Sequence, residues 1–333
     1  MVDLILSAEG PKNLTSQQDQ LVEYFVAKFG TRNESETSVT AEEIEIFIPS
    51  PATNHYEATS AVQNQHYPCP DVPIVTVEHG GRLGNKIWEY AAVWCLSRLM
   101  GRPGFVPISL LSTLSTVFND LSLPAIEEIE HCGLELDRKP VTLQQLMPLT
   151  ELIHRYRGRN LLLPKYIVFL EPIFLYRDLL RDELSFKTEI LRQVQETIDQ
   201  VGGSRKTLVG VHVRRTDFKE FLPRAFNSSL ADEDYYKKAM NWYRVNLKGP
   251  ILFLVVSDDV PWCKKNLLSK DVRIVSKSPE HDLALLCRSD HTIIDYGTFG
   301  YWGALMSKGH TVSLGVHKYF SHRMAKQANW TIF

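Results

Sequence analysis

A chain of 333 residues, 44% of them hydrophobic, is long enough to bury sizeable cores, and its length favours about two domains. The formal net charge of −2 argues against nucleic acid as the main partner. No apolar run approaches the roughly 20 residues that a membrane span needs.

Residues 1–72 differ in composition from the rest of the chain. Asn, Gln, Ser, Thr and Glu dominate, and closely spaced prolines end the segment. This pattern predicts a mostly irregular, stem-like extension with one short helix at 22–29. The first ten residues carry an acid at Asp3 and a very short apolar run, so they make a poor signal peptide. The protein is then either cytosolic or targeted by a segment that this chain lacks.

Residues 73–205 are predicted to form a first α/β lobe. A strand at 73–77 leads into a glycine loop at 79–85, and an amphipathic helix follows until Gly101 and Pro103. Such a loop can cradle a phosphate, but its spacing matches neither the dinucleotide nor the P-loop pattern, so a tight turn is the alternative. The remaining pattern predicts strands at 105–107 and 165–170 and helices at 123–130, 143–157 and 186–201.

Residues 206–333 show a regular alternation of strands and helices. The alternation predicts a parallel, doubly wound lobe in which Thr311 to Leu314 closes the sheet. A loop at 218–231 separates the first strand from the next helix. Strands are predicted at 207–213, 251–256, 272–275, 291–295 and 311–314, with helices beginning near Asp232, Pro261, His281 and Gly300.

The strand at 207–213 ends in a cluster that folding alone does not require. His212, Arg214, Arg215 and Asp217 fall within six residues. In a parallel sheet, ligands bind outside the carboxyl ends of the strands, and planar guanidinium groups suit phosphate or carboxylate. An Arg/Asp salt-bridge corner is the competing interpretation.

Two further strand ends are polar and should lie at the same edge of the sheet. Residues 296–300 offer a hydroxyl and free N–H groups before a helix, which suits an anion. Asp258 could accept hydrogen bonds from guanine, whereas Asp259 could equally cap the helix before Pro261. The edge therefore predicts a site for a nucleotide diphosphate.

The five cysteines and four sequons bear on the compartment. The cysteines form neither a C-x-x-C pair nor a zinc pattern. Cys95 and Cys287 lie in apolar helical runs, which favours buried thiols. Four N-x-S/T sequons mildly favour a secretory compartment without deciding it.

Four sequence blocks, in order, resemble the galactoside α-1,2-fucosyltransferases of glycosyltransferase family 11. More distantly, they resemble the α-1,6- and protein O-fucosyltransferases. The blocks are Gly81-Arg82-Leu83-Gly84-Asn85 before Glu89, the H-x-R-R-x-D motif at 212–217, 255–259 with Trp262, and 282–302 with Gly297-Thr298-Phe299-Gly300.

The resemblance implies an α/β, GT-B-like fold of two Rossmann-like lobes with a nucleotide-sugar site between them. It implies an inverting transfer of L-fucose from GDP-fucose to the 2-hydroxyl of a galactose-terminated glycan, with no metal or other cofactor. It also implies a Golgi protein with a membrane anchor, although this chain shows none. Lys86 and Trp88 depart from the family pattern on the acceptor side, so another linkage, or a non-catalytic GDP-sugar- or glycan-binding relative, are the alternatives.

Residue roles carry over from the family motifs. The first lobe would contribute Asn85 as a catalytic residue, with its loop closing over donor and acceptor. The expected donor-binding residues are Arg214 and Arg215 at the pyrophosphate, His212 at the nucleoside, Asp258 and Asp259 at guanine, Thr298 and Phe299 at phosphate, and Gly81, Arg82 and Gly84 in the loop.

Two acidic features have two interpretations each. Asp217 is either the base that takes the acceptor proton or a brace for the arginines. Asp232-Glu233-Asp234 fits the D-x-D pattern of metal-using glycosyltransferases, but its place in the first turn of a helix favours capping.

Overall fold

The computed structural model describes residues 67–136, 149–315 and 320–333. Nearly all of the predicted extension, including the helix at 22–29, lies outside these residues, as does the first part of the predicted helix at 143–157. The strands are β1 (Val75–Val77), β2 (Leu161–Leu163), β3 (Thr207–Val213), β4 (Ile251–Ser257), β5 (Val272–Ile274), β6 (His291–Ile294), β7 (Thr311–Ser313) and β8 (Thr331–Ile332). The helices are α1 (Leu83–Met100), α2 (Ile108–Leu114), α3 (Leu149–Arg155), α4 (Leu170–Leu175), α5 (Arg177–Glu183), α6 (Thr188–Gln200), α7 (Phe218–Phe226), α8 (Glu233–Asn246), α9 (Val260–Asn266), α10 (Pro279–Arg288), α11 (Thr298–Met306) and α12 (Phe320–Ala328).

The elements from β1 to α6, which we call the first lobe, surround a small parallel sheet. β1 pairs with β2, and single bridges join Val75 to Gly104 and Val106 to Ala125. The predicted strand at 105–107 is therefore reduced to isolated bridges. The helix predicted at 123–130 is a 3-10 helix at Ile126–Cys132.

The predicted strand at 165–170 is wrong. The earlier apolar run, Leu161–Leu163, occupies the place beside β1, where the Glu78 N–H donates to the Leu163 carbonyl at 2.9 Å. Tyr166 then adopts a left-handed backbone with φ 64°, which an extended strand does not accommodate. Ile167 to Phe169 form no regular element, and the chain enters α4 at Leu170.

Helix α1 is buried along nearly its whole length. Its apolar residues are not confined to one face, because it packs against β1 in its own lobe and against α11 in the other. Trp88 meets Trp302 of α11 edge-on, with ring centroids 5.2 Å apart. The helix ends at Gly101, as predicted, where a φ of 61° suits a residue without a side chain.

The elements from β3 to β8, which we call the second lobe, form a six-stranded parallel sheet in the order β5-β4-β3-β6-β7-β8. The chain starts in the middle and winds outward in both directions, so β3 and β6 flank the switch point. The doubly wound prediction is confirmed. Thr311 to Leu314 does not close the sheet, however, because the two-residue strand β8 lies beyond β7.

The predicted loop at 218–231 is wrong in its first part, which forms α7 despite Pro223. Leu222 is fully buried, and Phe218 stacks on Tyr296 with ring centroids 4.9 Å apart. Tertiary packing of these two apolar residues thus outweighs the local turn signals of proline and asparagine.

The two lobes share one continuous hydrophobic core. Helix α6, assigned to the first lobe by sequence, packs on α10 of the second. There the Thr197 hydroxyl lies 3.0 Å from His281 Nε2 and accepts from Lys277 Nζ at 2.8 Å. The boundaries at 72/73 and 205/206 remain predictions.

Cys69 and Cys132 form a disulfide that joins residues 67–70 to the 3-10 helix. Cys95 is a buried free thiol, as predicted, whereas Cys287 is only partly buried. Within the described ranges, no helix combines the length and the apolar character needed to cross a bilayer.

Candidate active site

The centre of the site lies at the switch point, where a buried carboxylate joins β3 to β6. Asp295 directly follows β6 and is fully buried. Its Oδ1 lies 2.9 Å from His212 Nδ1 and accepts from the Tyr296 N–H at 2.7 Å. Its Oδ2 accepts from the Arg214 N–H at 2.6 Å and from the Tyr236 hydroxyl at 2.8 Å. Asp295 thus sets the direction in which the chain leaves β3.

Sequence reasoning did not single out Asp295. The available signal was an acid directly after a buried strand, at the edge where His212 and Arg214 were expected. Its partner Tyr236 is remote in sequence and belongs to α8. Only the packing of α8 on the sheet brings that hydroxyl to the carboxylate.

Arg214 is held between two carboxylates. Its Nη2 donates to Asp217 Oδ1 at 2.5 Å, and its Nη1 lies 3.0 Å from Asp258 Oδ2. The side chain is 19% exposed, so this guanidinium is oriented and still reachable. The salt-bridge interpretation of the cluster is therefore confirmed, and the binding of an anion by Arg214 stays a prediction.

Asp258 is largely engaged within the protein. Its Oδ1 accepts from the Arg215 N–H at 2.8 Å, and its Oδ2 accepts from the Thr216 N–H at 3.2 Å and from the Thr216 hydroxyl. Since a carboxylate has about four acceptor positions, the remaining capacity is on Oδ1. Its contact with guanine stays a prediction.

Arg215 turns away from Arg214 and is enclosed by the second lobe. Its guanidinium carbon lies 3.8 Å from the centroid of the Trp262 ring, a cation–π contact. Its Nη1 donates to the Ala231 carbonyl at 2.9 Å, and its Nε lies 3.5 Å from Asp259 Oδ2. Arg215 is thus held by Trp262, Ala231 and Asp259, whereas Arg214 contacts Asp217 and Asp258.

The amino end of α11 meets the first lobe directly. Gly297 precedes it with a φ of 89°, and the Thr298 hydroxyl donates to Asn85 Oδ1 at 2.7 Å. Trp88 Nε1 donates to the Thr298 carbonyl at 2.9 Å. The first-turn N–H groups of a helix have no intrahelical acceptor, which leaves the amides of this turn suited to an anion. Trp88, which departs from the family pattern, lies between the lobes.

The glycine loop meets the second lobe at two further contacts. A Cβ added at Gly84 would lie 2.6 Å from the Phe299 nitrogen, so only glycine permits this approach. Arg82 Nη2 lies 3.5 Å from Asp217 Oδ2, and Gly81 has a φ of 69°. The structure therefore brings the loop residues predicted for the site to the edge that carries Arg214.

Glu89 and Tyr166 form a second feature that sequence reasoning did not assign. The Glu89 carboxylate is fully buried and accepts from the Tyr166 N–H at 2.7 Å and the Gly80 N–H at 3.1 Å. Burial raises the pKa of Glu89 to about 7, against the lowering effect of those two N–H donors and of the charge on Lys86. Lys86 itself donates to the Thr113 hydroxyl at 2.6 Å.

The two remaining acidic motifs act as caps. Asp232 accepts from the Tyr235 N–H at 3.1 Å at the start of α8, and Asp259 accepts from the Trp262 N–H at 3.1 Å at the start of α9. Among the described residues, the cluster with metal-ligand spacing is Cys69, His131 and Cys132, whose two cysteines form the disulfide.

A two-lobed α/β protein with an oriented guanidinium and free helix amides at the switch point is suited to bind a phosphorylated nucleotide where the lobes meet. The chain belongs to glycosyltransferase family 11, whose sequence profile ("Glycosyl transferase family 11") matches residues 44–332.

Named relatives agree with this membership. Galactoside 2-alpha-L-fucosyltransferase SEC1 of Bos taurus is 32% identical over 253 residues, which cover 72% of this chain and 66% of the relative. Galactoside alpha-(1,2)-fucosyltransferase 2 of Pongo pygmaeus is 32% identical over 251 residues, covering 72% and 71%. The chain thus spans about two thirds of the length of such relatives.

Among solved structures, fucosyltransferase NodZ from Bradyrhizobium is similar at 15% identity and a TM-score of 0.45, over 71% of this chain and 94% of that one. A likeness of this size carries no argument about the site. The two-lobed α/β architecture rests on the topology of the chain itself.

Proposed function

We propose that the protein is an inverting fucosyltransferase that moves L-fucose from GDP-fucose to the 2-hydroxyl of a galactose-terminated glycan. Membership of family 11 and relatives named as galactoside 2-α-fucosyltransferases support the activity. The observation that carries the proposal is the guanidinium of Arg214, held by Asp217 and Asp258 beside the amino end of α11.

The donor diphosphate is bound by Arg214 and by the N–H groups of Thr298 and Phe299. Charge builds up on the diphosphate as it leaves, and oriented donors that need no rearrangement stabilise that charge most. Arg215 acts from behind, since it fastens the end of β3 to Trp262 and Ala231. His212, held by Asp295 and with its ring centroid 5.5 Å from that of Phe299, contacts the nucleoside.

In the transfer step the acceptor oxygen attacks the anomeric carbon of fucose as the bond to the GDP oxygen breaks, and the hydroxyl proton goes to Asp217 in the base role or to the departing diphosphate in the brace role. Asn85 and the glycine loop, anchored to Thr298 and through Arg82 to Asp217, cover the reacting groups. Asp217 lies between the guanidinium groups of Arg82 and Arg214, an arrangement that supports the role of a brace more than that of a base.

The two roles of Asp217 predict different kinetics. With Asp217→Asn, a brace role lowers kcat/KM and leaves the shape of its pH profile unchanged, because the amide still accepts one hydrogen bond. A base role removes the acidic limb of the profile. Measuring kcat/KM between pH 5 and 9 decides between them.

Transfer is proposed to need no metal, and residence in the Golgi is an expectation from the family. The capping roles of Asp232 and Asp259 support the first point, because neither carboxylate is free of the helix it caps. Full activity in EDTA is the expected result. Loss of activity that manganese restores would overturn it.

The activity is tested by incubating the protein with radiolabelled GDP-fucose and a panel of galactosides, then determining the linkage of the product. A Fuc-α-1,2-Gal product is expected. A different linkage would favour the second fucosyltransferase alternative. Binding or hydrolysis of GDP-fucose without transfer would favour a non-catalytic relative.

A further inference from the structure

Tyr166 is an exposed aromatic residue in a costly backbone conformation. Its φ is 64°, a region that bulky side chains rarely occupy, yet 43% of the residue is exposed. Burial of its ring therefore does not explain why this position holds a tyrosine. Gly or Asn would satisfy the same turn with less strain.

The fold holds Tyr166 in place with the buried carboxyl group of Glu89. The Tyr166 N–H donates to Glu89 Oε1 at 2.7 Å, and the same oxygen accepts a hydrogen bond from the Gly80 N–H. Burying a carboxylate is expensive unless hydrogen bonds compensate it. Glu89 therefore fastens the Tyr166 turn to the start of the glycine loop, and its raised pKa of about 7 reflects the cost of that burial.

The Tyr166 ring lies against the glycine loop, beside the Asn85 side chain. A Cβ added at Gly81 would lie 3.0 Å from the ring carbon Cε1 and 2.1 Å from Asn85 Nδ2, so the ring and the amide flank the same glycine. Asn85 in turn contacts Thr298. Asn85 thus lies between the ring and Thr298, which belongs to the proposed phosphate site.

We propose that the Tyr166 ring is the platform on which the terminal galactose of the acceptor stacks, and that Glu89 is a positioning residue for that ring. The inference rests on the proposed transfer reaction and deepens its acceptor side. The ring is exposed, belongs to the first lobe and borders the loop that covers the donor, which is where an acceptor must approach.

The chemistry of the two partners fits. A pyranose ring carries C–H groups on one face and hydroxyls at its rim, and an aromatic ring with a polar tip offers a matching amphipathic surface. Only glycine at positions 80 and 81 leaves room for the ring, since a Cβ at Gly80 would lie 3.1 Å from its Cζ. The glycine loop, the Tyr166 turn and Glu89 together hold the Tyr166 ring beside the loop that contacts the second lobe.

The test compares three variants of the full chain. Tyr166→Asn removes the ring but tolerates the left-handed backbone, and Tyr166→Phe keeps the ring without the hydroxyl. Tyr67→Asn is the matched control, because Tyr67 is 41% exposed and packs on Phe105, away from the glycine loop. We expect the KM for N-acetyllactosamine to rise about tenfold or more in Tyr166→Asn only, with the KM for GDP-fucose unchanged.

Glu89 is tested by coupling. Glu89→Gln should raise the KM for the acceptor without changing that for GDP-fucose. The double variant with Tyr166→Asn should be no worse than Tyr166→Asn alone, because both changes remove the same platform. If the double variant raised the acceptor KM by the product of the two single effects, Glu89 would not act through Tyr166.

Binding measurements separate this inference from the proposed function. Saturation-transfer NMR with methyl β-galactoside, in the presence of GDP, reports on the platform even if no transfer occurs. Loss of the galactoside signal in Tyr166→Asn but not in Tyr67→Asn supports the inference. Equal galactoside signals in the two variants would overturn the inference. So would an acceptor KM in Tyr166→Asn equal to that of an active wild-type enzyme, and neither result would contradict the transferase activity.

Discussion

The two lobes build their parts of the site in different ways. In the second lobe, Asp258 and Asp295 tie strand ends and backbone N–H groups together, so Arg214 and His212 rest on a network of mutual hydrogen bonds. In the first lobe, a glycine loop and the Tyr166 turn converge on one buried carboxylate, Glu89. The proposed donor side is therefore pre-organised by a sheet, whereas the proposed acceptor side depends on loops.

The largest expected effect is on the sheet network. Asp295→Ala leaves His212, Tyr236 and two backbone N–H groups without their acceptor in a fully buried place. The expected loss of unfolding free energy is about 3–5 kcal/mol, measured by urea denaturation. The control Glu220→Ala, at an exposed ion pair in α7, should stay within about 0.5 kcal/mol. A loss for Asp295→Ala as small as the control's would mean that the network does not hold the switch point.

The next effect is on catalysis. Arg214→Ala should lower kcat on the order of 10²–10³-fold and weaken GDP binding, because the charge that stabilises the leaving diphosphate is removed. The fold should survive, as judged by circular dichroism and thermal melting. Arg224→Ala is the control, since Arg224 is exposed on α7 with only a distant ion pair. An Arg214→Ala protein with normal GDP affinity and activity would contradict the assignment.

The third prediction concerns the single carboxylate of the first lobe. Glu89 has a pKa of about 7 in the folded protein and an ordinary value of 4.5, so between these values the folded state keeps a proton that the unfolded state has lost. The stability that this proton provides is complete below pH 4.5 and is lost as the pH rises through 7. Relative to Glu89→Gln, the wild-type protein should lose about 3 kcal/mol of unfolding free energy between pH 4 and 8. Parallel stability curves for the two proteins would rule out the shifted carboxyl.

The smallest effect tests the junction of the two regions. A Cβ at Gly84 meets backbone atoms of Phe299, which cannot rotate away, so Gly84→Ala must separate α1 from α11. The expected loss of stability is about 1–3 kcal/mol, with a larger proportional loss of kcat/KM because both sides of the site shift. Wild-type kinetics in a stable Gly84→Ala protein would show that the close approach of the lobes is not required.

The strands of the second lobe were predicted closely from the sequence, whereas those of the first lobe were predicted less well. Strand β3 matches its predicted residues, because a buried parallel strand is a continuous apolar run bounded by polar turns. In the first lobe the apolar pattern predicted a strand at 165–170, whereas Leu161–Leu163 is the run that pairs with β1. Only pairing with β1 and the left-handed Tyr166 decided between them.

The amino-acid sequence by itself determined the α/β class and the doubly wound second lobe, since both depend on residue order and local periodicity. Its motifs indicated the family. The tertiary structure alone decided that Arg215 packs on Trp262, that Asp258 contacts Arg214, that Asp295 joins β3 to β6, and that Glu89 binds the Tyr166 turn. These assignments depend on contacts between residues far apart in the chain, such as Tyr166 with Glu89 and Asp295 with His212. Sequence spacing carries no information about such contacts until the elements have packed.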